Sequence, residues 1–292
     1  MREILSRSVF YSIVAVFVCM AFVSIATAQE EKEEAFTVKA ESRYIDSSTV
    51  DDLNGEIQTN ESKFKATYGY SLYNLLPVTI GLNIKHTDIK ENLEAEYPSH
   101  LEGRSLELGT KFPMPFSDSG KYFMGVDVFP SLYTDDWNWK SSALRAPFRT
   151  YLVYKPEEKF TLVAGVNVRI DYDDVVLPLI GFIYKPNDQL SFNFASDSPN
   201  ISYKLTEAFT VFGEFDYAWD EYEVTHNGQK GVVLKYKESS AGAGVRYTPT
   251  KFLEASLSAG EVLSRQLEYL DGSDKIQPNS APYVKAKIDL KF

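Results

Sequence analysis

The stretch Tyr283-Val284-Lys285-Ala286-Lys287-Ile288-Asp289-Leu290-Lys291-Phe292 alternates between apolar and polar side chains. Successive side chains of a β-strand point to opposite faces, so the alternation separates into two surfaces. One surface is apolar, and the other carries Lys285, Lys287, Asp289 and Lys291. The pattern predicts a strand with one face against an apolar medium and the other against water.

The aromatic residue that ends this strand is typical of bacterial outer-membrane β-barrels, whose last strand is bound by the barrel-assembly machinery. On that resemblance we expect an assembly signal formed by Tyr283, Ile288, Leu290 and Phe292. The alternative is an amphipathic edge strand of a soluble sheet.

The amino terminus has the pattern of an export signal. Arg2 and Arg7 precede an apolar run, and Ala26 and Ala28 are the small residues that signal peptidase requires. We predict a signal peptide over residues 1–28, a short periplasmic segment over 29–34 and a barrel over 35–292. Because the apolar run is long, an uncleaved anchor helix is the alternative. Cleavage would remove Cys19, the one cysteine of the sequence, and with it any disulfide.

Charge and composition narrow the class of protein. The formal net charge is −11, and it becomes −12 without residues 1–28, which carry two Arg and one Glu. Such an acidic chain is an unlikely partner for nucleic acid. After residue 28 no run approaches the ~18 apolar residues of a membrane helix, so any membrane crossing must use strands. Aromatic residues make up 14% of the chain, enough for the interfacial girdles of a barrel.

Alternation with a period of two recurs along the whole chain. Long acidic loops and tight turns separate the alternating segments in turn, which is the arrangement of transmembrane barrels. We count fourteen segments, at residues 36–43, 63–72, 78–85, 106–112, 124–128, 144–152, 162–170, 175–184, 190–195, 201–205, 209–217, 239–247, 253–259 and 283–292. The sequence therefore predicts an all-β, antiparallel up-and-down barrel of fourteen strands, or of twelve if the short pair around Asp197 does not span.

Three stretches carry a resemblance to a known family: residues 177–188, 201–205 and 265–269, which read LPLIGFIYKPND, ISYKL and RQLEY. They resemble a family of bacterial outer-membrane proteins defined as a domain of unknown function, over roughly the carboxy-terminal half. The resemblance implies a barrel in the outer membrane of a Gram-negative bacterium. It implies no activity, and no functional residue is carried over from it.

The face opposite the apolar one is charged along most strands. Its basic residues meet when the last strand closes onto the first, and this basic arc consists of Lys39, Arg43, Lys63, Lys65, Lys85, Lys285, Lys287 and Lys291. Acidic residues predicted to face the lumen are Asp127, Asp171, Glu214, Asp216 and Glu254. Opposed charges in a narrow wet pore select ions. The pattern predicts a small porin-like diffusion channel with an anion preference. The alternative is a closed structural or adhesive barrel that acts through its acidic extracellular loops.

One wall departs from the charged pattern. Val163, Leu177, Leu179, Ile183 and Phe212 would point inward together. This apolar patch leaves open a transporter of hydrophobic solutes. Known transporters of that kind carry a large amino-terminal hatch, whereas only residues 29–34 would precede the first strand here, so we consider this the weaker alternative.

Catalysis is not predicted. The histidines His86, His100 and His226 are dispersed, and none forms a His-x-Ser pattern on a strand, so a lipid hydrolase is disfavoured. We expect no cofactor and no transition-metal site. The acidic loops could bind divalent cations or lie near the bridged phosphates of lipopolysaccharide. The expected partners are outer-membrane lipid, lipopolysaccharide and the barrel-assembly machinery, with the protein a monomer.

Overall fold

The structure, a computed structural model, describes residues 36–51, 54–72, 76–93, 97–114, 120–138, 141–170, 172–272 and 274–292. The predicted signal peptide and the segment 29–34 lie outside the described residues and stay predictions. Across the described ranges, no helix has both the length and the apolar character that crossing a membrane requires.

The described chain is almost entirely β-structure, with one short 3-10 turn at Ser141–Ala143. Its seventeen strands are β1 Phe36–Val50, β2 Gly55–Leu72, β3 Leu76–Glu91, β4 His100–Pro113, β5 Tyr122–Val128, β6 Ser131–Thr134, β7 Leu144–Arg145, β8 Phe148–Glu157, β9 Phe160–Val168, β10 Val176–Tyr184, β11 Leu190–Asn193, β12 Asn200–Lys204, β13 Phe209–His226, β14 Gln229–Thr250, β15 Leu253–Tyr269, β16 Lys275–Ile276 and β17 Ala281–Lys291.

These strands form one closed barrel. The last strand, β17, pairs with β1 over nine residue pairs, from Thr37 with Lys291 to Ile45 with Tyr283. β5 and β6 run in succession along β4, and β7 and β8 follow them in the same way, so each succession makes one stave. β16 is a two-residue addition to β15. Fourteen antiparallel staves remain, which confirms the predicted fold class and strand number.

The outer surface carries a band of exposed large apolar side chains on most staves. Examples are Ile80, Leu108, Leu152, Phe215, Leu257 and Ile288. A soluble protein rarely exposes apolar surface continuously around its circumference, and lipid is the medium that accepts such a band. Short turns join the staves at one end, which we call the periplasmic end, and the longer hairpins mark the outer end.

The outer hairpins differ from the predicted loops. The sequence predicted polar loops over residues 46–58 and 220–231, but β1 and β2 continue to Val50 and from Gly55, and β13 and β14 are joined by the two residues Asn227 and Gly228. Both turn residues have positive φ, 49° and 76°, which a tight hairpin of this twist requires. The strands continue because apolar residues recur at inward positions of these stretches, among them Val50, Ile57, Tyr222 and Val224, which are all buried.

Those inward residues form a packed core inside the outer end of the barrel. We call this core the plug. Its buried members are Val50, Ile57, Ile89, Tyr97, Leu101, Tyr222, Val224, Val232, Leu234, Tyr236, Leu267, Tyr269 and Ile276. Near it, Thr134 of β6 pairs with Glu223 of β13, which draws opposite sides of the barrel together. The outer end is therefore narrower than the membrane-spanning part.

The plug should contribute to stability like the core of a soluble protein. Leu234 is 0% exposed within it, whereas Leu257 is 60% exposed on the lipid-facing surface. We expect Leu234→Ala to lower the free energy of unfolding by about 2–5 kcal/mol, because it removes buried contacts and leaves a cavity. Leu257→Ala, the matched control, should cost much less. Denaturant unfolding of the barrel in detergent measures both, and equal losses would contradict a packed plug.

Candidate functional site: the lumen and a gap in the barrel wall

The lumen is hollow at the periplasmic end and filled at the outer end. Along the inward face of β1 the exposed fraction of the side chain falls from 41% at Lys39 to 5% at Arg43. Ile45, the next inward residue, is 1% exposed. β14 shows the same trend, from a half-buried Arg246 to a fully buried Leu234. Solvent therefore enters the barrel from the periplasmic end and stops below the plug.

The predicted basic arc lies on the lumen face, and each of its eight residues is within 4 Å of a carboxylate. The pairs are Lys39 with Asp289 (3.8 Å), Arg43 with Glu238 (2.5 Å), Lys63 with Glu61 (2.7 Å), Lys65 with Glu107 (2.7 Å), Lys85 with Asp220 (3.0 Å), Lys285 with Asp216 (2.6 Å), Lys287 with Asp289 (3.1 Å) and Lys291 with Glu254 (3.8 Å). The acids are thus interleaved with the arc, and its positive charge is locally compensated.

The predicted lumen acids are also paired where they are described. Asp127 binds Arg149 at 2.8 Å, Glu214 and Asp216 both contact Lys285, and Glu254 lies 3.0 Å from Arg246. Asp171 lies outside the described residues. Tyr283 faces inward and is buried beneath the guanidinium of Arg43, which lies 4.3 Å from its ring centre. Phe292 stacks on Phe36 across the β1–β17 seam, with ring centres 6.0 Å apart.

Several buried charges under the plug were missed by the sequence analysis. Glu61 lies 3.0 Å from Lys85, and Glu238 pairs with Arg43 across the barrel. Arg265 donates to Thr59 and Ser48, each at 2.7 Å. Only Arg43 and Lys85 were in the predicted set. The missed residues lie at inward positions where the strands extend beyond the predicted segments, so continuing the two-residue period would have found them.

The buried pairs should matter for stability far more than the exposed ones. Arg43→Ala leaves Glu238 buried without its partner, so we expect a loss of about 3–5 kcal/mol in the free energy of unfolding. Lys39, on the same strand as Arg43, is a half-exposed partner of Asp289 on β17, so Lys39→Ala should cost about 1 kcal/mol or less. Denaturant unfolding in detergent compares them, and a loss at Arg43 no larger than at Lys39 would contradict the closed layer beneath the plug.

The wall formed by β8, β9 and β10 carries the predicted apolar patch. Strand register places Arg149, Asn167 and Leu177 side by side on the lumen face. The next row towards the periplasmic end contains Tyr151, Gly165 and Leu179. Leu177, Leu179 and Ile183 are only partly buried, so this apolar wall borders the hollow part of the lumen.

The wall has a gap between β10 and β13. β11 pairs with β10 only at Ile183 and Tyr184, and β12 pairs with β13 only as far as Glu214. Among the described strands, none pairs with the remaining edge of β10 from Val176 to Gly181, or with that of β13 from Asp216 to Tyr222. Ile180 on this edge is 82% exposed, the highest value among the large apolar residues. We call this interruption the wall gap.

Two loops border the wall gap. Above it, the loop after β9 crosses to β13 and β14, where the backbone N–H of Asp173 donates to Glu221 at 3.2 Å and the Asp173 carboxylate pairs with Lys235. The Lys235 ammonium lowers the pKa of Asp173 below its usual value. Below it, the loop of residues 194–199 follows β11 and reaches the lumen face, where the Asp197 carboxylate lies 3.7 Å from Nη1 of Arg149.

Two of the three histidines lie close together at the outer end of β3 and β4, where the ring centres of His86 and His100 are 6.5 Å apart. Ser99 Oγ lies 3.0 Å from Nδ1 of His100, its neighbour in sequence. His86 lies between Asp88 and Glu102, at 3.1 and 2.5 Å, and His226 stacks on Tyr269. Within the described part of the chain, no three His, Cys, Asp or Glu residues are grouped as metal ligands would be.

Comparison with known proteins bears on the fold. No family model and no curated protein matches the chain. An outer-membrane channel from Pseudomonas putida F1 is similar with a TM-score of 0.50 and 10% identity, over 90% of this chain and 97% of that one. A Pseudomonas aeruginosa FadL homologue has a TM-score of 0.46 with 10% identity over 89% and 90% of the two chains. The P. putida toluene transporter TodX has 0.40 with 11% identity, over 90% of each chain. At this identity the similarity to the first structure establishes the fold alone, which is that of an outer-membrane β-barrel.

Proposed function

We propose that the protein is a channel of a Gram-negative outer membrane that passes small, largely apolar solutes through the wall gap into the lumen and on to the periplasm. The observation that carries the proposal is the combination of a filled outer end, a hollow periplasmic end and an interruption of the wall between them. The apolar outer band supports the outer membrane as the location.

The plug argues against passage along the barrel axis. Its thirteen apolar residues are at most 7% exposed. Fully exposing one such side chain costs about 1.5–3 kcal/mol, so clearing several of them exceeds what a small solute could compensate. A route through the wall gap needs no such rearrangement of the plug.

The lining of the route favours apolar over ionic solutes. A solute that enters between β10 and β13 passes the exposed Ile180 and then meets the inward Leu177 and Leu179. The basic arc adds little net field, because every member has a carboxylate nearby. The anion preference predicted from that arc stays a prediction, with its support reduced by the pairing.

Uptake of an apolar dye by intact cells tests the route. N-phenyl-1-naphthylamine is excluded by an intact outer membrane and fluoresces once it reaches the inner membrane. We expect cells that make the protein to take up the dye faster than cells that do not. Leu179→Lys should lower the rate towards that of cells without the protein, because a charge on the apolar wall raises the cost of passage.

The matched control is Thr67→Lys, which places the same charge on the lumen face of β2, away from the wall gap. It should leave dye uptake unchanged. Equal effects of the two substitutions, or no uptake above background with the wild-type protein, would contradict the proposed route.

Ion selectivity tests the basic arc separately. Reversing Lys65 and Lys287 to Glu removes two cations from the hollow part of the lumen and adds two anions. If ions pass, the reversal potential in a planar bilayer under a salt gradient should shift towards cation preference. Lys251→Glu, in the turn between β14 and β15, is the control. An unchanged reversal potential would remove the arc from permeation.

A further inference from the structure

We propose that the lumen contains a binding site for the carboxylate of an amphipathic acid, formed by Arg149 and Asn167 beside the apolar wall, and that Asp197 competes with the ligand for this site. The inference rests on the proposed function, because it names a class of solute and a step on the same route. It is carried by one arginine that contacts two very different carboxylates.

Arg149 is held in place by Asp127 on the neighbouring strand. Its Nε and Nη2 lie 2.9 and 2.8 Å from the same oxygen of Asp127. The guanidinium also lies 5.1 Å from the ring centre of Phe129 and 5.7 Å from that of Tyr151. A guanidinium has five N–H donors, and Asp127 uses only one edge of it. The edge that carries Nη1 points away from Asp127 and is available to a second carboxylate.

Asp197 takes this second position weakly. Its carboxylate is 3.7 Å from Nη1 of Arg149, and its side chain is 89% exposed. By contrast, the side chain of Asp127 is 8% exposed. An exposed, long ion pair contributes little and exchanges readily. A carboxylate that enters the lumen can therefore replace Asp197 on Arg149 without disturbing Asp127.

Asn167 supplies a second polar group. It is the direct cross-strand neighbour of Arg149 on β9, so the two side chains share the lumen face. The buried Oδ1 of Asn167 is an acceptor without a hydrogen-bond partner among the described residues, and an ionised carboxylate has no proton to donate to it. The Nδ2 amide of the same side chain is a donor, so a carboxylate held by Arg149 can also accept a hydrogen bond from Asn167.

The apolar wall begins at the next strand. Leu177 is opposite Asn167, and Leu179 lies one row further towards the periplasmic end. A ligand with its carboxylate on Arg149 can thus lay an apolar body on β10, beside the wall gap. A small monocarboxylate with an aromatic or aliphatic body fits this sequence of polar and apolar groups, whereas a dianion would leave one charge against the leucines.

The competition also links the ligand to the wall gap. Asp197 belongs to the loop of residues 194–199 that borders the gap from below. A ligand that displaces Asp197 releases one contact holding this loop in the lumen. Binding and widening of the gap would then favour each other.

Calorimetric titration of the folded protein in detergent, at neutral pH, tests the site without any transport step. The probes are 4-phenylbutanoate and its neutral amide, 4-phenylbutanamide. We expect the wild-type protein to bind the acid more tightly than the amide. Asp197→Asn should tighten binding of the acid about two- to fivefold, since it removes a competitor as weak as an exposed ion pair. Arg149→Gln should reduce binding of the acid at least about tenfold, to the level of the amide.

The control is Arg246→Gln, which removes another lumen guanidinium, one paired with Glu254, and should change neither affinity. Heat-dependent migration on a gel verifies that each variant is folded. If Arg149→Gln does not fold, Asp197→Asn tests the site by itself. If Asp197 had only a structural role, its replacement would leave the affinity for the acid unchanged or lower it. Unchanged or weaker binding of the acid by Asp197→Asn, or equal affinity of the wild-type protein for acid and amide, overturns the proposal. Dye uptake is measured independently, so either proposal can fail while the other stands.

Discussion

The structure depends on closing the hydrogen-bond ladder between β1 and β17. Backbone groups that face hydrocarbon must find partners within the protein, and this closure gives the first and last strands the partners that an open sheet would lack. Closure also assigns every second residue to the inside, because side chains alternate along each strand. The nine pairs from Thr37 to Ile45 place Arg43 and Lys285 inside the barrel and Tyr44 and Val284 on its outer surface.

The inside of the barrel then divides into two environments. Towards the periplasmic end the inward residues are charged and partly exposed, as at Lys39 and Lys65. Towards the outer end the inward residues become apolar and are buried, as at Ile57 and Leu234. Buried ion pairs such as Arg43 with Glu238 lie where the two environments meet. The wall gap between β10 and β13 lies beside the apolar wall, because β10 carries Leu177 and Leu179 and also forms one edge of the gap.

The fold could be predicted because the sequence features that specify it are local. A period of two, tight Pro-containing turns and an amphipathic last strand need no knowledge of distant contacts, so fourteen strands were found, including the short β11 and β12. The plug could not be predicted, because its members come from eight strands and from the connection between β3 and β4, and the polar residues between them resemble a loop. Partners across the lumen, such as Arg43 and Glu238, 195 residues apart, depend on the barrel's diameter and register.

The sequence predicted many of the residues that line the lumen, but not which of them contact one another. Leu177, Leu179 and the basic arc were placed on the lumen face from alternation alone. That the arc is interleaved with Glu61, Glu107 and Asp289 follows from strand register, which the sequence does not specify. The loop of residues 194–199 brings Asp197 to Arg149, and alternation along the strands does not specify the path of such a loop.

The lumen is closed to the outside along its axis and open to the periplasm. The most direct measurement is the rate at which a charged, membrane-impermeant maleimide reacts with a cysteine introduced at Lys63, whose side chain is 43% exposed in the lumen. We expect negligible reaction when the reagent is applied to intact cells and rapid reaction once the periplasm is opened. Rapid reaction in intact cells would contradict a closed outer end, because the reagent would then have passed the plug.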